Sequence, residues 1–138
     1  MPLLYEDVII FIITKANQRI FGKFKPMFLR HGLTPTQALV LNALYQNNGL
    51  SVGEIGNQLI LDSATLSGVL DRMVDSGWIT KDIYDEDRRV TKIYLTEKAI
   101  QTRDALLNDI EATHRKVLSV FRPEERLLLE RMIKDLGK

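Results

Sequence analysis

The sequence predicts a mainly α-helical domain that carries one small antiparallel β-hairpin. Capping signals followed by apolar residues at helical spacing recur along most of its 138 residues. Between residues 78 and 95, by contrast, two short segments have strand character and enclose a polar, turn-prone stretch. The length suits a single domain with one core.

The first helix is predicted over about residues 4–29, because apolar side chains recur there every fourth residue. The stripe consists of Ile12, Ala16, Ile20, Phe24 and Phe28. Pro26 is expected to break or kink this helix near its end. A stripe of this kind must pack on another helix or on a second subunit.

The second helix has a capping box, in which Thr34 and Gln37 satisfy each other's backbone N–H groups, with Pro35 at the first helical position. It should run through Leu44 and end at Asn47-Asn48-Gly49. Gly53 and Gly56 follow, but no Gly-Lys-Ser/Thr accompanies them, so a nucleotide-binding loop is disfavoured.

Two short helices follow. Ser51 and Glu54 form a second capping box, and Asp62 is a good N-cap for the next helix. Gly77 is well placed to end that helix. Its apolar stripe comprises Leu66, Val69, Leu70 and Met73.

The hairpin is predicted from alternating residues in 78–84 and 90–95, joined by Asp85-Glu86-Asp87-Arg88-Arg89. Helix, tight turn, helix and a hairpin with a basic tip form a winged helix-turn-helix. That architecture lays its second helix in the DNA major groove.

The C-terminal region predicts a helix from Thr96 to about Phe121, with a partial heptad repeat, and a last helix after Pro123. Apolar terminal helices at both ends of a small DNA-binding module are best explained by a symmetric homodimer. We therefore predict one domain over 1–138, with a DNA-binding lobe at about 34–95 and dimerisation helices at about 1–30 and 97–138.

Composition narrows the classes of function. The chain has no cysteine, which excludes disulfides and thiolate metal sites, and its two histidines do not suggest a metal site. We expect a cytoplasmic protein with no membrane partner, because no apolar run approaches a membrane span and no signal peptide is recognisable. No catalytic or cofactor-binding pattern is present, so neither an enzyme nor a cofactor is predicted.

Charge argues against a simple DNA-binding interpretation. The whole chain carries a net charge of +1, but residues 51–95 hold five Lys and Arg against eight Asp and Glu, a net charge of −3. DNA binding would then depend on a few well-placed cations and on helix N-termini. The alternative is a winged-helix protein-interaction module with weak or no DNA binding.

Three stretches carry a resemblance to a known family. LTPTQALVLNAL at 33–44, LDRM at 70–73 and DEDRRVTKIYLTEKA at 85–99 resemble the MarR family of winged helix-turn-helix transcriptional regulators. The resemblance implies a homodimer on a pseudo-palindromic operator, repression as the usual outcome, and release by a small aromatic or anionic effector.

The candidate DNA-binding residues lie in the second helix of the motif and at the hairpin tip. They are Ser63, Ala64, Thr65, Ser67, Gly68, Arg72, Arg88 and Arg89. Thr65 and Ser67 can hydrogen-bond to bases or phosphates, and Ala64 can contact a thymine methyl group. Gly68 departs from the family, whose members often carry arginine or another long polar residue there. The alternative is that Thr65 and Ser67 are ordinary exposed polar residues.

Arg88 and Arg89 suit the narrow minor groove beside the recognition helix. The resemblance implies that one of them enters the groove while Asp87 restrains the tip. The alternative is that both only pair with Asp85, Glu86 and Asp87. Arg72 is expected to contact a phosphate or to serve structure rather than to read bases.

Candidate effector-binding residues are cations and aromatic side chains near the helix junctions. They are Phe11, Lys15, Arg19, Phe28 and His31. A carboxylate could meet the cations while the phenylalanines form apolar walls. Solvated helix positions are the alternative for Lys15 and Arg19. His114 lies on the heptad seam, as a histidine satisfied by a hydrogen bond, a pH-sensitive group or a ligand contact.

Overall fold

The computed structural model describes residues 1–83 and 90–138. Within these ranges the chain forms six α-helices and one two-stranded antiparallel sheet, and a short 3-10 helix, Tyr5–Asp7, precedes them. The elements are α1 (Ile9–Arg30), α2 (Pro35–Gln46), α3 (Val52–Leu59), α4 (Ser63–Asp75), β1 (Ile79–Ile83), β2 (Thr91–Leu95), α5 (Glu97–Leu118) and α6 (Pro123–Leu136).

The core lies mainly in the central lobe, by which we mean α2, α3, α4, β1 and β2. Helices α3 and α4 pack on α2, and the two strands pack against all three helices. The largest fully buried side chains of the lobe are Leu41, Leu44, Ile55, Leu66, Leu70, Met73, Ile79 and Ile93. Leu33 precedes α2 and Leu106 lies on α5, so the same core continues into the flanking helices.

The sheet is a two-stranded hairpin, and the residues just before α3 form backbone hydrogen bonds with it. Strands β1 and β2 pair from Ile79 opposite Leu95 to Ile83 opposite Thr91. The N–H of Ile93 donates to the carbonyl of Leu50 at 2.8 Å, and the N–H of Gly49 donates to the carbonyl of Ile93 at 3.0 Å. These two hydrogen bonds fix the start of α3 against the hairpin.

The predicted helix starts in and around the lobe are confirmed by their side-chain caps. Thr34 and Ser51 each accept the backbone N–H three residues on, and both capping boxes are complete. Asp62 and Thr96 accept the backbone N–H groups of Thr65 and Ala99. These caps are local interactions, which is why the sequence alone located them.

Helix α1 departs from its prediction at both ends. Val8 has extended backbone, so the helix begins at Ile9 rather than near residue 4. Of the break or kink predicted at Pro26, the break does not occur, because α1 continues through the proline to Arg30. The proline removes the hydrogen bond to the carbonyl of Gly22, but that glycine is exposed and water can replace the lost donor.

The surfaces of α1 and α6 are unusually apolar. Exposed large side chains include Ile9, Ile10, Phe11, Ile12 and Ile13 on α1, and Leu127, Leu128, Met132, Ile133 and Leu136 on α6. Helix α1 packs on α5 and α2 through its C-terminal half, where Met27 and Phe28 are buried. No helix in residues 1–83 and 90–138 is long and apolar enough to cross a membrane.

Candidate nucleic-acid interface

Helix α4 has one buried face and one free face. Leu66, Val69, Leu70 and Met73 are buried against the lobe, as their spacing predicts. The exposed side chains of α4 are those of Ser63, Ala64, Thr65, Ser67, Asp71, Arg72, Val74 and Asp75. The exposed side chains in the first two turns of α4 are therefore small and uncharged, so a large partner can approach the helix backbone closely.

The turn between α3 and α4 sets the angle of the free face. The N–H of Leu61 donates back to the carbonyl of Gly56 at 3.0 Å, which is the closing hydrogen bond of a Schellman motif. Ile60 takes the left-handed conformation in this turn, with φ 54° and ψ 53°. A Cβ on Gly56 would lie 3.3 Å from the carbonyl oxygen of Leu61, so the turn folds closely over this glycine.

Asp62 caps the N-terminus of α4 through two hydrogen bonds with Thr65. Asp62 Oδ1 accepts the backbone N–H of Thr65 at 2.8 Å, and Asp62 Oδ2 accepts the hydroxyl of the same residue at 2.9 Å. The backbone N–H of Thr65, followed by its hydroxyl, lowers the pKa of Asp62. The carboxylate therefore stays ionised at neutral pH and holds the Thr65 side chain in place.

The structure brings the sequence-derived residues of α4 onto one surface, with two qualifications. Gly68 is only partly exposed, and a Cβ there would lie 3.6 Å from an Arg72 guanidinium nitrogen. Arg72 is exposed, whereas its neighbour Asp71 forms an ion pair with Lys81 of β1. Arg72 is thus available to a phosphate, while Asp71 and Lys81 join the helix to the hairpin.

The hairpin tip cannot be placed in the same way. The predicted minor-groove residues Arg88 and Arg89, together with Asp85, Glu86 and Asp87, lie outside the described residues. Strands β1 and β2 lead to and from that segment in the predicted antiparallel register. The role of the two arginines therefore stays a prediction.

A contact that the sequence did not reveal supports the end of α4. Lys98, in the first turn of α5, donates to the carbonyl of Ser76 at 2.8 Å and places its ammonium 4.1 Å from the centre of the Trp78 ring. The Thr96 hydroxyl donates to the carbonyl of Gly77 at 2.6 Å. A lysine near the C-terminal carbonyls of a helix is a recognised stabilising arrangement, but only the fold brings this one there.

The five effector candidates do not share one site. Phe11, Lys15 and Arg19 lie along α1 and line an open cleft of about 580 Å³ with Glu6 and Asp7. Phe28 lines a different groove of about 200 Å³ between α1, α2 and α5. The groove is lined by Ile20, Phe21, Phe24, Phe28, Pro35, Ala38, Leu39, Asn42 and Ile110. The cations and Phe28 therefore cannot hold one small molecule within a single protomer.

Both histidines lie close to carboxylates. His31 Nε2 lies 2.7 Å from Asp109 Oδ2, beside the groove, and is mostly buried. His114 is more than half exposed and lies 3.6 Å from Glu130. No cluster of potential metal ligands occurs in residues 1–83 and 90–138.

Helices α2, α3 and α4 with the hairpin define a winged helix-turn-helix protein. The family model described as MarR family matches residues 33–91. The HTH-type transcriptional regulator MhqR of Bacillus subtilis is 30% identical over 130 residues, which is 91% of this chain and 87% of that regulator. The chain belongs to the MarR family of transcriptional regulators, and its relatives are regulators rather than enzymes.

Solved structures agree with this assignment. A probable transcriptional regulator from Pseudomonas aeruginosa superposes with a TM-score of 0.90 at 27% identity, over 96% of this chain and 99% of that one. BpsR of Bordetella bronchiseptica, whose DNA binding is regulated by 6-hydroxynicotinic acid, has a TM-score of 0.92 at 20% identity, over 100% and 99% of the two chains. At that lower identity the second match shows the fold alone.

Proposed function

We propose that this protein is a cytoplasmic repressor that binds a pseudo-palindromic operator as a homodimer. Residues 34–95 would bind DNA, and residues 1–30 and 97–138 would join the two subunits. One observation carries the proposal. In a fold whose family regulates transcription, the recognition helix α4 has a solvent-exposed face of small polar side chains over its first turns.

The free face of α4 suits the major groove. Ser63, Thr65 and Ser67 supply hydrogen-bonding hydroxyls, and Ala64 supplies a methyl group for contact with thymine. Gly68 adds no side chain, so direct readout rests on few residues and DNA shape contributes the rest.

The net charge of −3 in residues 51–95 requires that specific cations contact phosphates. Arg72 is exposed on α4, whereas Lys81 is already paired with Asp71. We propose that Arg72 contacts a phosphate and that Arg88 and Arg89 enter the flanking minor groove. These few cations would then account for most of the dependence of binding on salt.

Selection of bound fragments from random duplex DNA, followed by fluorescence anisotropy, tests the function. We expect a selected site with two related half-sites about 10 base pairs apart, centre to centre. Replacing both Arg88 and Arg89 with alanine should reduce the magnitude of the negative slope of log affinity against log salt by about one to two. The matched control replaces Arg115 and Lys116, two exposed cations on α5, with alanine. It should leave the slope unchanged.

Failure to enrich any duplex at low salt would contradict DNA binding. It would favour the protein-interaction module, with which the acidic balance of residues 51–95 agrees. An unchanged salt slope in the Arg88 and Arg89 variant, with retained binding, would instead contradict only the role of the hairpin tip.

The dimer is supported by the apolar surfaces of α1 and α6. Contiguous exposed apolar surface of this extent marks an interaction site in a water-soluble protein. Near the helix ends, Ile9 and Ile13 of α1 already line a shallow cleft with Met132 and Ile133 of α6. A second copy that inserts its own terminal helices would bury these faces and set two α4 helices about 34–36 Å apart.

Light scattering tests the dimer. The wild type should have twice the mass of one chain at micromolar concentration, and Ile133→Glu should lower that mass by placing a charge within the apolar face. Lys134→Glu, at the next position of the same helix, is the control and should remain dimeric. A wild type with the mass of one chain would contradict the dimer directly.

The effector is proposed for the groove between α1, α2 and α5. Because α2 belongs to the lobe and α5 to the flanking helices, a molecule there would change how the two regions pack. Its walls suit an aromatic ring, and within the described residues Asn42 is the polar group that lines it. The regulation of DNA binding by 6-hydroxynicotinic acid in BpsR, which has the same fold, supports an aromatic ligand.

Thermal shift measurements with benzoate, salicylate and their uncharged amides test this site. At least one should raise Tm and lower DNA affinity, and Leu39→Trp should abolish the shift by filling the mouth of the groove. A shift that persists in Leu39→Trp would place the ligand elsewhere, and the cleft beside Lys15 and Arg19 would be examined next. No shift with any of the compounds would contradict the proposed ligand class.

A further inference from the structure

The hydroxyl group of Thr65 donates its hydrogen bond to Asp62. Its Oγ1 lies 2.9 Å from Asp62 Oδ2, while Asp62 Oδ1 accepts the backbone N–H of Thr65 at 2.8 Å. A hydroxyl has one proton and two lone pairs, and an ionised carboxylate can only accept. The single proton of Thr65 is therefore used on Asp62, and lone pairs alone remain for another partner.

The direction of this hydrogen bond persists at physiological pH. Hydrogen bonds from the Thr65 backbone and side chain lower the pKa of Asp62, so the carboxyl group does not carry a proton of its own at neutral pH. Both residues are exposed, so the remaining lone pairs of Thr65 face the solvent side of α4.

We propose that Thr65 acts toward DNA only as a hydrogen-bond acceptor and thereby contacts the amino group of a cytosine or an adenine in each half-site. In the major groove the donors are the exocyclic amino groups of these two bases, whereas guanine and thymine present acceptors there. An acceptor facing an acceptor is repulsive, unless the hydroxyl turns away from Asp62 and gives up that bond. This inference rests on the proposed DNA-binding function and concerns its specificity.

Ser67 provides an internal contrast on the same helix face. Its hydroxyl is exposed and makes no hydrogen bond within residues 1–83 and 90–138. It can rotate to donate to one base or to accept from another, so it should discriminate poorly. The selectivity therefore depends on the partner that Thr65 has at the N-cap.

Three variants test separately the presence of the Thr65 hydroxyl, the direction of its hydrogen bond and the folding of α4. Thr65→Val removes the hydroxyl and keeps the shape, while Thr65→Ser keeps the hydroxyl and should keep the wild-type preference. Asp62→Asn keeps a good N-cap, because asparagine caps helices as well as aspartate does. Its amide can donate to Thr65 Oγ1, which frees the threonine proton, so this variant can also donate to a guanine or thymine acceptor and should depend less on the amino group.

Selection from random duplexes with wild type and each variant identifies the base pair that depends on Thr65. The amino-bearing base of that pair is then replaced by its analogue without the amino group, purine for adenine or pyrimidin-2-one for cytosine. Wild-type affinity should fall about fivefold, the value of one hydrogen bond, while Thr65→Val should lose nothing further. Circular dichroism of each variant checks that α4 remains folded.

The outcomes distinguish this inference from the function on which it rests. If the wild type selects no duplex, the proposed function fails. If the wild type selects a site and Thr65→Val selects the same site with the same preferences, only the acceptor role is overturned. It is overturned as well if removing the amino group at the Thr65-dependent pair costs the wild type no more affinity than it costs Thr65→Val.

Discussion

His31, which caps the end of α1, shares a 2.7 Å hydrogen bond with Asp109 of α5, although the two residues are 78 positions apart. The imidazole is largely buried, whereas the carboxyl group is about half exposed. The pair holds the junction of α1 and α2 against α5, beside Phe28 and Ile110 of the apolar groove. It thus joins the C-terminal end of α1, just before the lobe begins, to α5.

Removing this hydrogen bond should destabilise the protein modestly. In a double-mutant cycle of His31→Ala and Asp109→Ala, we expect a coupling free energy of about 0.5–1.5 kcal/mol, the usual net value of a hydrogen bond. Urea unfolding at one fixed protein concentration measures it, because a dimer's stability depends on concentration. His114 and Glu130 lie 3.6 Å apart and are both substantially exposed, so the same cycle there should give a coupling near zero.

Replacing Ile60 should stabilise the protein. This isoleucine has a positive φ of 54° and is 91% exposed, so its β-branched side chain is strained without gaining burial in the chain. Ile60→Asn or Ile60→Gly should raise the free energy of unfolding by about 1 kcal/mol, because both residues adopt the left-handed region more readily. Ile60→Val keeps the β-branch and should change little. A loss of stability in Ile60→Asn would show that the side chain is covered by something outside the chain.

The sequence was most informative where structure is local. Thr34 with Gln37 and Ser51 with Glu54 start helices through contacts three residues apart, and both predictions are confirmed. The period of the apolar residues likewise identified the buried face of α4. The strained conformation of Ile60 was missed, because the turn is imposed by how α3 crosses α4 and no glycine marks it.

The effector candidates illustrate where sequence reasoning stopped. Lys15, Arg19 and Phe28 are grouped by the sequence as residues near the helix junctions, but in the structure they line two different cavities. The groove at Phe28 requires Pro35 and Ile110, which come from α2 and α5 and carry no local signal. Tertiary packing brings these residues together, and a single sequence does not encode that packing in any short pattern.

Gly56 of α3 and Gly68 of α4 should respond to alanine with opposite signs. At Gly68 the added methyl group would meet only the Arg72 guanidinium at 3.6 Å, an ordinary contact, so Gly68→Ala should add about 1 kcal/mol of stability through helix propensity. At Gly56 it would lie 3.3 Å from the Leu61 carbonyl, within the closed turn, so Gly56→Ala should destabilise. Chemical denaturation without DNA measures the free energy of unfolding of both variants. Stabilisation of similar size in each would mean that the turn after α3 adjusts to the added methyl group without cost.

Asp62 should make the stability of the protein depend on pH in the acid range. Its pKa is lowered in the native state, first by the backbone N–H of Thr65, so the carboxylate stabilises the fold wherever it is ionised. That contribution is complete above the ordinary aspartate pKa of about 3.9 and is lost as the pH falls through the lowered native value. The stability difference between the wild type and Asp62→Asn should therefore be largest near neutral pH and shrink on acidification. Asp62→Ser also caps the helix without titrating, so its stability should differ from that of Asp62→Asn by an amount that does not change with pH. A stability advantage of the wild type that grew toward acid would contradict the lowered pKa of Asp62.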